Sequence, residues 1–110
     1  TILRAGLAEA AGRAAYLAGF HAAQALIFER VRKVLKTHHG VHVEFQRLTK
    51  DDARLDAVRS FLSRSYDLKS IADYEIDPNV VVSPAQAADA IAEAKRFVAL
   101  LAVLADRPPP

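Results

Sequence analysis

Apolar side chains recur at three- and four-residue intervals over most of this chain, the period of helices that bury one face. The longest such pattern runs from Leu7 to Leu35 without a proline. Tyr16, Phe20, Ala23, Ile27, Val31 and Val34 fall on one stripe of it, and Leu7, Ala11, Ala14, Ala18, Ala22 and Ala25 on another. The second stripe is nearly all alanine, so the spacing predicts neighbouring helices that approach closely on more than one side. This is the central helix of a bundle. Ahead of it, Thr1–Ala5 reads as the last turn of a helix that Gly6 stops. Behind it, Val41–Leu48 reads as a short connecting helix with Val41, Val43, Phe45 and Leu48 as its apolar contacts.

A further helix is predicted over Asp52–Tyr74, opened by two acidic residues at its positive end. Leu55, Val58, Phe61, Leu62, Ser65, Leu68 and Ala72 gather on one broad stripe, and Lys69 and Asp73 fall inside or at the rim of it. A charge facing a core is costly unless paired, and four residues apart these two can pair with each other. That makes the end of this helix the place to look for function. Pro78 breaks the pattern at Glu75–Asn79, and Val80–Val82 is too short for a strand. Ser83-Pro84-Ala85-Gln86 is a capping box with proline at the first helical position. The helix after it places Ala87, Ile91, Ala94, Val98 and Leu101 on its core face and ends near Asp106. The predicted fold is all-α: an antiparallel up-and-down bundle of four main helices plus a short connecting helix. It forms one domain over residues 1–110, with the first helix truncated to Thr1–Ala5.

Composition narrows the chemistry. At 110 residues the chain holds one core, and with no cysteine it has neither a disulfide framework nor thiolate metal sites. No apolar run approaches the roughly 20 residues of a membrane span, so a cytoplasmic protein without membrane contact is expected. A net charge of +2 does not by itself argue for nucleic acid. The cations Arg30, Arg32, Lys33 and Lys36 complement the dipole at the end of the long helix; a phosphate-binding patch is the alternative. His38 and His42 have the spacing of a shared helical face, but with His39 and Gly40 they read as a solvated turn lacking further ligands, so no metal is expected. His21 reads as a satisfied core or interface residue, with Gly19 beside it permitting a close helix approach. There is no glycine-rich phosphate loop, nucleophile elbow or acid–base carboxylate pair, and no cofactor is expected.

Three passages resemble one known family. Ala15-Tyr16-Leu17-Ala18-Gly19-Phe20-His21-Ala22-Ala23-Gln24-Ala25-Leu26 is similar to its Tyr-x-x-x-Phe-His-Ala-Ala-x-Ala-Leu signature. Lys36-Thr37-His38-His39-Gly40-Val41 is similar to its Lys-Thr-His-x-Gly turn, and Leu68-Lys69-Ser70-Ile71-Ala72-Asp73-Tyr74 to its Leu-Arg-x-x-Ala-Asp-Tyr segment. The family is the HEPN domain (higher eukaryotes and prokaryotes nucleotide-binding), in its small stand-alone prokaryotic form, and the likeness extends over nearly all of residues 7–104.

The resemblance implies a helical bundle that homodimerises and is often paired with a minimal nucleotidyltransferase in toxin–antitoxin systems. Many members are metal-independent ribonucleases that present an Arg and, four to six residues on, a His or Tyr across the dimer cleft. Carried over, those positions fall on Lys69 and Tyr74. Lys69 would hold a phosphate, Asp73 would orient Lys69, and Tyr74 would hydrogen-bond the substrate. His21, Lys36 and His38 would join Lys69 in contacting RNA or nucleotide. Lysine offers a point charge where arginine would grip a phosphate bidentately, and tyrosine is a poorer acid–base group than histidine near neutral pH. The resemblance therefore implies a degenerate RNA- or nucleotide-binding module, with Lys69 and Asp73 as an ion pair that fixes dimer register. The alternative is an active endoribonuclease toxin using Lys69 and Tyr74.

Overall fold

The computed structural model describes the backbone of residues 2–56, 58–74 and 82–106, and the side chains of all of these except 2, 3, 5 and 71–74. Four α-helices make an all-α bundle: α1 over Ile2–Val31, α2 over His38–Thr49, α3 over Phe61–Tyr74 and α4 over Pro84–Ala105. The 30 residues of α1 set the length of the molecule, whose longest dimension is 47 Å. The other helices pack around it, α4 most extensively, then α3 and α2.

The predicted stop at Gly6 does not occur. Thr1 lies outside the described residues, and from Ile2 the helix passes straight through Gly6 into the long pattern. An exposed glycine costs a helix only about 1 kcal/mol relative to alanine, which good helix formers on both sides outweigh. At the other end α1 stops at Val31, four residues short of Leu35. Arg32 takes a left-handed conformation (φ 56°) while its N–H still reaches the Phe28 carbonyl at 2.9 Å. Its guanidinium lies over the Phe28 ring, 5.2 Å from the centroid, which offsets part of the backbone cost of a non-glycine residue there. Val34 therefore leaves the predicted stripe and stands in an exposed connection.

Thr37 caps α2 by accepting the Gly40 N–H at 3.0 Å, so the helix opens at His38 rather than Val41. A side chain at Gly40 would crowd this cap, because its Cβ would stand 2.7 Å from the Thr37 hydroxyl oxygen. On α2, Val41 and Phe45 are buried and Leu48 is half-buried, whereas Val43 faces solvent.

The helix predicted from Asp52 begins only at Phe61. Asp52 accepts the Arg54 backbone N–H at 3.0 Å and two guanidinium N–H groups at 2.9 and 2.8 Å, which favours a 3-10 turn over Ala53–Leu55. Arg59 then donates to the carbonyls of Thr49 (2.6 Å) and Asp52 (2.9 Å), holding the segment as a compact loop. Leu55 still reaches the core and is fully buried. Phe61, Leu62 and Ser65 are buried as the stripe required, with Val58 and Leu68 half-buried; the Ala72 side chain lies outside the described residues.

The capping box of α4 forms as predicted. Ser83 Oγ accepts the Gln86 N–H at 3.1 Å, and the Gln86 side chain accepts the Ser83 N–H at 2.9 Å. The core face of α4 is Ala87, Ala94, Phe97, Leu101 and Leu104. Ile91 and Val98, predicted to be core, are instead exposed. They line an apolar trough of about 470 Å³ together with Ala14 and Ala18 of α1. The alanine stripe of α1 is thus largely uncovered: Leu7, Ala14, Ala18 and Ala25 are exposed, and Ala11 and Ala22 half-buried. The aromatic stripe is the packed one, with Tyr16, Phe20, Ala23 and Ile27 buried. The core is centred on Phe97, whose ring lies 5.0 Å from that of Phe61 and 5.5 Å from that of Phe45.

Candidate functional site

Helical spacing delivers pairs of side chains from three helices to one junction. Tyr16 and Phe20 are four residues apart on α1, His38 and His42 four apart on α2, and Tyr66 and Lys69 three apart on α3. The Tyr66 ring is the shared neighbour. Its centroid lies 5.2 Å from that of Tyr16, 5.1 Å from His38 and 5.7 Å from His42. The ammonium of Lys69 stands 5.9 Å from the same centroid. Phe20 closes the group at 4.9 Å from His38.

Inside this cluster the Tyr16 hydroxyl lies 2.7 Å from Nδ1 of His38 and 3.0 Å from Nε2 of His42. A phenol has one proton to donate, so it donates to one imidazole while the other donates to it. The Tyr16 side chain is fully buried, and burial, reinforced by Tyr66, holds its hydroxyl far above the ordinary tyrosine range. It remains a neutral phenol. Burial, followed by the nearby His38 and His39, pulls His42 below the ordinary histidine value, so its neutral form is favoured. The histidines are therefore not a solvated turn. His38 and His42 face inward on the first two turns of α2, and only His39 is exposed.

Lys69 is the one predicted catalytic residue whose side chain is described, and it is half-buried at this junction. The backbones of Asp73 and Tyr74 occupy the last turn of α3, one turn beyond Lys69. Their side chains, and with them the expected Lys69–Asp73 pairing, lie outside the described residues. His21 is not a core residue. It is exposed, its Nδ1 2.9 Å from Oε1 of Gln24, and its ring lies 5.7 Å from that of Phe20. Lys36 is exposed in the connection that leads into Thr37 and His38. His21, Phe20 and His38 thus follow one another ring to ring, Lys36 precedes His38 by two residues, and His38 and Lys69 share the Tyr66 ring as a neighbour.

The other cations of α1 divide differently. Arg30 donates to the Leu104 carbonyl at 3.2 Å, and Arg32 lies over Phe28. Both serve the fold, which leaves Lys33 and Lys36 exposed. Among the described residues no group of three or more His, Asp or Glu is placed to hold a metal ion, and no helix is long and apolar enough to cross a membrane.

Tyr16, Phe20, His42 and Tyr66 are the members of the cluster that sequence reasoning did not select. The shared face of His38 and His42 was visible in their spacing. The partner of that face, a tyrosine in an apolar stripe 22 residues earlier, was not.

A family model described as the HEPN domain matches residues 2–104, nearly the whole chain. No curated protein and no solved structure matches it.

Proposed function

This chain belongs to the HEPN domain family, and from that premise we propose that it is an RNA- or nucleotide-binding module in which Lys69 holds a phosphate. The observation that carries the reading is the seat of Lys69. Its ammonium rests near the face of Tyr66, at a junction of three helices, where packing alone would favour an apolar side chain. A lysine there supplies a point charge for a phosphate but not the two-pronged grip of an arginine, which favours binding over efficient catalysis. Asp73, one helical turn further on, orients Lys69, and Tyr74 hydrogen-bonds the ligand. His21, Lys36 and His38 contact the nucleotides that follow. The module acts as a homodimer with this site at the cleft between subunits, in the cytoplasm, within a toxin–antitoxin or related system whose partner is a minimal nucleotidyltransferase.

The test is fluorescence anisotropy with a short single-stranded RNA. Lys69→Ala should weaken binding by about tenfold and lower the salt slope by about 0.7, while Lys69→Arg keeps or raises affinity. Equal affinity for wild type and Lys69→Ala would overturn the assignment. Light scattering at low protein concentration tests the dimer, and a mass equal to one chain would overturn that part.

A further inference from the structure

Two unusual choices coincide at the end of α1. Of the five phenylalanines in the chain, Phe20, Phe45, Phe61 and Phe97 are buried, whereas Phe28 is 42% exposed. Four residues on, Arg32 is the one non-glycine residue with a positive φ (56°) among the described residues, and its guanidinium lies 5.2 Å from the centroid of the Phe28 ring. Packing asks for neither. A ring of this size stabilises a fold most when it is buried, and the left-handed position that closes a helix suits glycine best. Together they set a flat apolar surface beside a planar fork that stays charged. Those are the two elements with which proteins hold an unpaired nucleobase and its phosphate.

The surroundings extend the pair. Gln24 and His21 stand four and seven residues before Phe28, so helical spacing puts all three on one side of α1. Gln24 ties that side to the connection that follows α1. Its amide nitrogen donates to the Leu35 carbonyl at 2.8 Å, and its oxygen accepts from Nδ1 of His21 at 2.9 Å. From Phe28 to Lys36 the chain carries four cations against a single acid, Glu29. Arg30 is engaged with the Leu104 carbonyl, which leaves Arg32, Lys33 and Lys36 at the surface.

Resting on the reading that this chain binds RNA or nucleotide, we propose that Phe28 and Arg32 form a second subsite, one that stacks an unpaired base of a single-stranded nucleic acid. The base lies on the exposed part of the Phe28 ring, and the guanidinium of Arg32 pairs with the phosphate of the same nucleotide. A base inside a duplex is already stacked on both faces and cannot reach the ring, so the subsite selects single strands. Every base has a π-face and the ring reads no 2′-hydroxyl, so RNA and DNA are taken alike and in any sequence.

The experiment measures fluorescence anisotropy with a short single-stranded RNA, the DNA of the same sequence and the RNA annealed to its complement, with Lys69→Ala in parallel. Phe28→Leu keeps an apolar side chain and loses the ring. It should weaken binding of both single strands by about tenfold and leave that of the duplex unchanged, while Phe28→Tyr binds as wild type does. Arg32→Gly suits the backbone at that position, so it should melt no lower than wild type, yet bind single strands less tightly and with a salt slope lower by about 0.7. If Phe28→Leu and wild type bind single strands equally while Lys69→Ala binds less tightly, the subsite is wrong and the Lys69 reading stands. The opposite pattern keeps the subsite and removes Lys69 from the reading. A change in mass of Phe28→Leu by light scattering without nucleic acid would make Phe28 a contact between proteins and overturn the subsite. If no strand binds, both fall.

Discussion

Gly19 and Phe61 meet so closely that a Cβ added at Gly19 would stand 2.4 Å from Cε2 of the Phe61 ring. The contact joins α1 to α3 a few residues along from the Tyr16 cluster, and it lets the helices approach at glycine-to-ring distance. Phe61 cannot step aside, because it is buried and its ring lies 5.0 Å from that of Phe97. Gly19→Ala gains about 1 kcal/mol of helix propensity but overpacks this contact by about 1–3 kcal/mol. The expected result is a net loss of about 1 kcal/mol in urea denaturation, and an unchanged or raised midpoint would show that Phe61 has room to move.

The cap of α4 offers a second case, since both bonds described for Ser83 belong to the capping box. Ser83→Ala removes one side of the box with Gln86 and should cost about 1 kcal/mol, with Ser83→Asp restoring most of it. The readout is the denaturation midpoint of the three proteins at one pH. If the alanine variant equals wild type, the capping bonds are not maintained in solution.

His42 makes stability depend on pH. Its folded value is depressed by burial first and then by His38 and His39, whereas in the unfolded chain it titrates near the ordinary 6.5. Protons therefore bind the unfolded state more readily, so the contribution of His42 is complete above about pH 6.5 and is lost as the pH falls through the folded value. Thermal melts between about pH 8 and about pH 5 should show a midpoint that declines on acidification, and His42→Gln should flatten that decline. A variant that keeps the full wild-type slope would assign the acid sensitivity elsewhere.

Asp52 acts in a lower pH range. The Arg54 side chain, donating twice to its carboxylate, holds it below the usual carboxylate value. Its contribution is present above the unfolded value near 3.8 and is lost as the pH falls through the folded one. Asp52→Ala should destabilise the protein by about 1 kcal/mol at neutral pH through loss of the 3-10 cap. Hydrogen exchange should quicken in residues 53–56, and protection equal to wild type there would mean that Arg59 alone holds the loop.

What could be read from the sequence was what depends on near neighbours. The Ser83–Gln86 box, the end of α4 at Asp106 and the buried stripe from Tyr16 to Ile27 are local signals, and the structure contains each of them. The errors came where two local rules agree with more than one outcome. Acidic residues at Asp51 and Asp52 suit the start of an α-helix, yet the same carboxylate caps a 3-10 turn once Arg54 folds back on it. Alanines on two faces of α1 suggested neighbours on both sides, but the packed side is the aromatic one. The Tyr16–His38–His42 contact needed knowledge of how α1 and α2 cross. No spacing within either segment contains it.

Arg30 reaches across 74 residues of chain to the carbonyl of Leu104. The last turn of α4 is thereby latched to the last full turn of α1, just ahead of the connection that delivers Lys36 and His38. A label, graft or crosslink placed near Leu104 therefore competes for the carbonyl that fastens the end of α4 to the end of α1, and the two termini are to be engineered as one joint.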